Sequence, residues 1–309
     1  MSSRTVPNAP KTAESPTSRT LWGDAWRRFR RDRLAMLGAI VLAFVALAVS
    51  IGPMVYTTPF DAIDFTRASA PPSWQHPFGT NDLGQDQLAR VLSGGRISLA
   101  VGVSAMFVAI SLGTAIGAVA GFFGGIIDVL LMRLTDLFLA LPQLPMLLLV
   151  MYLFQDAVKA IAGATLGIFA LIVLVIGSLN WMSVARLVRA NFLTLREMEF
   201  VAAARILGAT PWRLIWVHLI PNVFGTVTVA ATLAVGTAII TESTLSFLGL
   251  GFPPDIPTWG RMLYDARNYL ESAPHMALFP GLAIFLTVLS INFIGDGLRD
   301  AIDPQTRQK

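Results

Sequence analysis

Six stretches of this 309-residue chain carry no Asp, Glu, Lys or Arg: Leu34–Phe60, Ile97–Ile127, Leu137–Gln155, Ala160–Ala185, Leu214–Thr241 and Ser272–Gly295. Each reaches the ~20 mostly apolar residues that a helix needs to cross a bilayer, the third only just. In hydrocarbon a spanning backbone must satisfy its own hydrogen bonds, and these runs are too long for barrel strands. The expected fold class is therefore an all-α integral membrane protein with six transmembrane helices. Composition agrees, with 54% hydrophobic and only 14% charged residues, where soluble domains carry about 25% charge. Ala46-Leu47-Ala48 resembles a signal-peptide cleavage site. The polar stretch before the first run is long and the apolar run continues well past that triplet, so a retained span is expected. The fifth span is expected to begin after Pro221, leaving Leu214–Ile220 outside the membrane.

Basic residues set the expected orientation. With the amino terminus in the cytoplasm, inside segments hold 17 Lys and Arg: eight in 1–33, Arg133, five in 186–213 and three after Gly295. Outside segments hold six: Arg67, Arg90, Arg96, Lys159, Arg261 and Arg267. Both termini are thus expected in the cytoplasm, and the net charge of +4 reads as a topology signal rather than as nucleic-acid binding. Residues 1–20 read as a disordered tail. Residues 21–33 place Trp22, Trp26 and Phe29 at helical spacing among basic residues, which suits an amphipathic helix on the cytoplasmic membrane surface or a simple charged stop. The first span is placed at 34–56, an external segment at 57–96, a five-helix body at 97–298 and a tail at 299–309.

Several chemistries are excluded. There is no cysteine, so disulfides and thiolate chemistry are absent. Lys11, Lys159 and Lys309 follow Pro10, Val158 and Gln308, so no Gly-Lys pair exists for a phosphate-binding loop. No serine sits in a G-x-S-x-G elbow, and His76, His218 and His275 lie in separate segments. The run Asn81–Asp86 lacks calcium-loop spacing; helix capping by Asp82, with Asp86 and Arg90 paired four apart, explains it better. No catalytic residues and no metal ligands are expected.

Other residues suggest positions rather than chemistry. Gly113, Gly117 and Gly121 lie four apart on one face, for close helix packing within the chain or against a partner. Glu242, with Ser243 beside it, is expected near the outer interface, as part of a polar substrate pathway or as a solvated helix end. Asp128 and Asp136 flank a short inner turn around Arg133 and are expected to form local ion pairs.

The segment between the fourth and fifth runs, EMEFVAAARILGATPWRLIWVHLIPN (197–222), is too polar for a lipid-facing span and too apolar for a loose loop. Glu197–Leu207 is composed of helix formers, Gly208 is a plausible stop, and Thr210-Pro211 reads as an N-cap followed by proline at the first helical position. The expected shape is helix, glycine turn, helix. Phe200, Ala203, Ala204 and Leu207 share one face, which serves either partner docking or packing under the chain's own spans.

Glu199–Ala204, Gly208 and Pro221 resemble the EAA loop of ABC importer permeases, although the family's glutamate position is occupied here by Ala202. His76–Asp86 continuing to Gly95–Leu99, Leu245–Gly251 with Trp259-Gly260, and Asn292–Asp300 resemble the C-type permease subunit of oligopeptide and dipeptide importers, as does Trp22–Arg33. The likeness covers nearly everything after residue 20. It implies the type I ABC importer permease fold with a cytoplasmic coupling segment at 197–221, in which Glu199, Phe200, Ala203, Ala204, Leu207, Gly208, Ala209 and Arg213 dock ATPase subunits. It also implies a homologous B-type permease, two ABC ATPases that bind ATP and Mg, an external substrate-binding protein and a peptide substrate. The chain itself would hold no cofactor, bind no nucleic acid, contact membrane lipid and sit in the bacterial inner membrane. Related importers of nickel, glutathione or peptide antibiotics share these motifs. A self-sufficient channel or secondary transporter, and an intramembrane enzyme, are readings from other classes.

Overall fold

The structure is a computed structural model in which residues 21–302 are described; the expected tail 1–20 and the end of the tail 299–309 lie outside them. The described chain is almost wholly helical. In order it forms α1 (Leu21–Phe29), α2 (Arg33–Val55), a short 3₁₀ turn, α3 (Gln87–Phe123), α4 (Gly125–Ala140), α5 (Gln143–Ala162), α6 (Ala164–Ser178) and α7 (Trp181–Leu195). There follow α8 (Glu199–Ile206), α9 (Pro211–Arg213), a π-helical stretch Leu214–Leu219, α10 (Ile220–Phe247), α11 (Trp259–Ala266) and α12 (His275–Ile302). Five helices are long and apolar enough to cross a membrane: α2, α3, α5, the continuous Pro211–Phe247 and α12. The pair α6 and α7, bent by 41°, makes a sixth if counted as one span.

Helix α3 is the centre of the packing, touching α7, α10, α6 and α2. Three glycines of its C-terminal half lie flat against α7. A Cβ on Gly113 would come within 2.5 Å of Val184 Cβ, one on Gly121 within 2.6 Å of Phe192 Cβ, and one on Gly117 would strike the Ala185 carbonyl. Contact partners rise in number together along both helices, so α3 and α7 run parallel. The glycine stripe therefore serves packing within the chain, one of the two readings of its spacing.

Charge fences misplaced some boundaries. Helix α3 starts at Gln87 because its basic residues find partners inside the fold. Arg90 is 3% exposed and donates to Gln85 Oε1 at 2.6 Å, with Asp265 at 3.5 Å. Arg96 donates to the carbonyls of Val49 and Ser50 at the end of α2. The cap of α3 is Asp86, not Asp82: its Oδ1 accepts from the Ala89 amide at 2.8 Å. Its Oδ2 faces His76 Nδ1 at 2.7 Å and accepts from the Tyr56 hydroxyl at 2.8 Å, so Asp86 does not pair with Arg90.

The expected inner turn around Arg133 is the sixteen-residue helix α4. Its acids pair across to α7 rather than locally, Asp128 with Arg189 through two bonds and Asp136 with Arg186. The Arg189 guanidinium holds the Asp128 carboxyl below its ordinary pKa. Pro221 does not interrupt the helix: the π-helical stretch Leu214–Leu219 runs on through it into α10. Helix α1 packs its Phe29 between Ala35 and Ala301, leaving Trp26 59% exposed.

Introducing a large side chain into the α3–α7 seam should break it. Gly117→Leu should destabilise the protein by about 1–3 kcal/mol, read as a lowered thermal midpoint in detergent. Gly281→Ala, where a Cβ meets nothing nearer than Leu263 at 3.9 Å, should leave the midpoint unchanged.

Candidate functional site: a protruding helical hairpin and a polar groove

Two features beyond the packed bundle can do something. The first is the hairpin formed by α8, Gly208 and the start of α9. Met198 enters α8 in extended backbone with no side-chain cap, and Glu199 stands in the first turn, where a carboxylate complements the exposed amides. Gly208 takes φ +84° with open space around it, a backbone region that glycine enters without strain. Thr210 Oγ1 then accepts from the Arg213 amide and Pro211 fills the first helical position.

The hairpin has an inner and an outer face. Val201 is fully buried and, with Ala204 and Ala209, packs onto Phe192, Leu214, Ile215 and Leu219. Glu199, Phe200, Ala203, Leu207, Gly208 and Arg213 are exposed. The eight residues singled out in this segment thus divide: six are exposed, while Ala204 and Ala209 mainly hold the hairpin to the bundle. Ile206 and Leu207 are 86% and 87% exposed, and Trp212 is 58% exposed beside Phe123. Ile206 and Trp212 escaped the sequence reading, which followed one helical face and stopped at the turn. A cluster of large apolar side chains at the tip of a rigid hairpin marks an interaction surface.

The second feature is a groove of about 680 Å³ between α7, α10 and the end of α12. Asn180, Ser183, Thr226, Leu233, Thr237 and Arg299 are among its walls. On α10 the lining runs 226, 229, 230, 233, 234, 237, a helical stripe of Thr, Val, Ala and Leu. That stripe is visible in the sequence, but it carries no charge and so escaped a search guided by charged residues. The upper end of the groove meets a break shared by two helices. Leu141-Pro142 interrupts the path from α4 to α5 beside Leu179-Asn180, where α6 meets α7. Gln143 Nε2 donates to Asn180 Oδ1 at 3.4 Å across the two breaks.

Glu242 and Ser243 are not in this groove. Glu242 is not a solvated helix end: its exposure is 0%, and that of Ser243 is 7%. The Ser246 hydroxyl donates to Glu242 Oε1 at 2.8 Å, and the Ser98 and Ser243 hydroxyls lie 3.5 Å from Oε2. Ser98 also accepts the Trp259 amide at 3.2 Å. The segment after α10 folds back over α3 to bring this about. Gly260 lies against the Ser243 backbone and Gly94 against the Pro257 carbonyl, with no room for a Cβ at either. Trp259 is fully buried and its indole donates to the Val91 carbonyl. The carboxylate is thus the pin that joins α3, α10 and α11. No group of His, Cys, Asp or Glu among the described residues could hold a metal.

An all-helical bundle with a protruding hairpin between two spans is the architecture of an ABC importer permease, and comparison with known proteins places it there. Residues 113–308 match the family of binding-protein-dependent transport system inner membrane components. Residues 20–72 match the N-terminal transmembrane domain of oligopeptide transport permease C. The chain belongs to this family of multi-pass inner-membrane permeases. It is 40% identical over 293 residues to a glutathione transport system permease protein of Pectobacterium atrosepticum, covering 94% of this chain and 93% of that one. It is 40% identical over 291 residues to an oligopeptide transport system permease protein of Haemophilus influenzae, covering 94% and 90%. A dipeptide transport system permease protein of Alkalihalophilus pseudofirmus is 38% identical over 301 residues, covering 97% and 95%. The fold is similar to a chain of the MetNI methionine ABC transporter solved in inward-facing conformations, with TM-score 0.52 and 21% identity over 69% of this chain and 96% of that one.

Glu242 should matter as a hydrogen-bond acceptor. Glu242→Gln keeps an acceptor for Ser246 and should retain the thermal midpoint. Glu242→Ala strands buried hydroxyls, costs about 1–3 kcal/mol and should open the 248–260 segment to limited proteolysis. Equal behaviour of the two variants would remove the pin role.

Proposed function

We propose that this chain is the C-type permease subunit of an ATP-driven importer of oligopeptides or dipeptides, working by alternating access. It pairs with a homologous B-type permease above two ABC ATPases, and an external binding protein delivers the peptide. Both termini and the hairpin at 197–221 face the cytoplasm. The carrying observation is the exposed apolar hairpin held rigidly on the continuous helix Pro211–Phe247. ATP and Mg belong to the partners, because this chain has no phosphate-binding loop. Glu199, Phe200, Ala203, Leu207, Gly208 and Arg213 are the docking face, joined by Ile206 and Trp212, while Ala204 and Ala209 anchor that face from behind.

In this reading nucleotide-driven closure of the ATPases displaces the hairpin, and a ligand shifts a conformational equilibrium only through contacts that differ between its states. The hairpin is where such differential contacts reach this chain. The buried face of α8 couples the displacement to α7 and α10 together, so the walls of the groove move as a unit. Glutathione is the second reading, supported by the 40% identity to a glutathione permease. It shares amide and carboxylate chemistry with small peptides. Nickel import lacks a specific supporting observation, and a self-sufficient channel would leave the apolar hairpin without a role.

Ala203→Arg places a long charged side chain on the outward face without disturbing the Val201 anchor. Uptake of a labelled tripeptide into vesicles holding the complete transporter should fall at least tenfold, while the chain still inserts and copurifies with its permease partner. Unimpaired ATP-driven uptake by this variant would overturn the docking assignment.

A further inference from the structure

We propose that the groove between α7 and α10 is this chain's wall of the substrate path, and that Arg299 at its coupling end is a station for the substrate carboxylate. The inference rests on the transport reading and assigns a different place from the Glu242–Ser243 pair.

The groove does not have the character of a lipid-facing surface. Exposed positions nearer the start of α12, away from the groove along the helix, are large and apolar: Leu278, Leu282, Phe285 and Leu286. The groove sets Asn180, Ser183, Thr226, Thr237 and Arg299 among apolar side chains such as Leu187, Val229 and Leu233. Threonine hydroxyls bonded to the preceding turn, as Thr237 is to Leu233, are tolerated in lipid. An amide such as that of Asn180 is expensive there and marks an interior or water-lined surface, while Arg299 stands in the last turn of α12. Its volume of about 680 Å³ falls within the roughly 300–1,000 Å³ of small-molecule sites.

The charge pattern then selects the substrate group. Arg299 is the one ionisable side chain among the described residues lining the groove, and it is exposed. Asp296 and Asp300 share its helix but do not line the groove. A guanidinium beside a wall of apolar and uncharged hydrogen-bonding groups favours an anion, best a carboxylate that it can hold through two bonds. The neutral walls impose little choice on the remainder of the molecule. Free peptides and glutathione fit that description: one or more carboxylates on an amide backbone with varied side chains. Ile302 lies against Gly225, which sets the end of α12 beside the start of α10. Arg299 therefore stands at the mouth nearest the hairpin, where a substrate leaves toward the ATPase side.

The absence of cysteine from the chain permits a direct test. In the complete transporter, reconstituted without nucleotide, Thr226→Cys and Phe285→Cys are each exposed to an anionic and a cationic water-soluble thiosulfonate, and modification is read by mass on this chain. Thr226→Cys should react at least tenfold faster than Phe285→Cys, because its thiol faces water. The anionic-to-cationic rate ratio at Thr226→Cys should fall about three- to tenfold when Arg299→Gln is added, and Arg299→Lys should restore most of it. Labelling no faster than at Phe285→Cys would show the groove covered by lipid or by a partner subunit and would overturn the proposal. A ratio indifferent to Arg299→Gln would overturn the carboxylate station. Peptide uptake by the unmodified complex tests the transport reading separately, since the labelling rates do not depend on it.

Discussion

Contact between the backbones of α3 and α7 is the constraint from which the rest of the structure follows. With glycine at 113, 117 and 121, the two helices close to a distance that no side chain at those positions would allow. Helix α7 carries the hairpin at its end, and α3 also touches α2, α6, α10 and α12. A displacement applied to α8 is therefore not absorbed locally. Lipid strengthens the effect, because a spanning helix cannot unravel to dissipate motion without exposing unsatisfied backbone groups. Small residues supply in the membrane the close packing that a hydrophobic core supplies in water.

The opposite end of α3 is fixed by different means. There the polypeptide uses a buried carboxylate, serine hydroxyls and the indole of Trp259, which join the start of α3 to the end of α10 and to α11. Polar links in a low-dielectric setting are strong when fully satisfied and costly when broken. The protein is thus tied tightly at two levels, by close apolar packing near the hairpin and by hydrogen bonds far from it. Between them lies a region of looser construction. The helices break side by side at Pro142 and at Asn180, and the groove opens there.

How much of this could be read in the sequence follows from what each signal measures. Lipid imposes a strict demand on composition, so uncharged runs revealed the class of fold and most of the spans. The hairpin was legible because Gly208, Thr210 and Pro211 are local backbone signals that act the same way in any context. Charged residues misled when their partners were distant in sequence. Arg90 and Arg96 sit within or beside the bundle because Gln85, Asp265 and two carbonyls of α2 receive them. Glu242 suggested a solvated end or a pathway because three serines from two helices enclose it, an arrangement that only the tertiary fold creates. The groove is illegible for the converse reason: all its polar residues but Arg299 are uncharged, and they are scattered over α7, α10 and α12.

Exposure in the isolated chain shows where the remainder of the assembly must contribute. Ile206, Leu207 and Trp212 are large apolar groups at the tip of an ordered hairpin, and leaving them in water would forfeit apolar burial at ~25 cal/mol per Å². Their helix is nonetheless held by the full burial of Val201, so the surface exists before any partner arrives. A preformed surface spends less of its interaction energy on ordering. If ATPases dock there as proposed, more of their contact energy is left to differ between nucleotide states. Rigidity in the hairpin and looseness at the groove are complementary for this reason: displacement enters through an element that does not yield and is expressed where the helices already break.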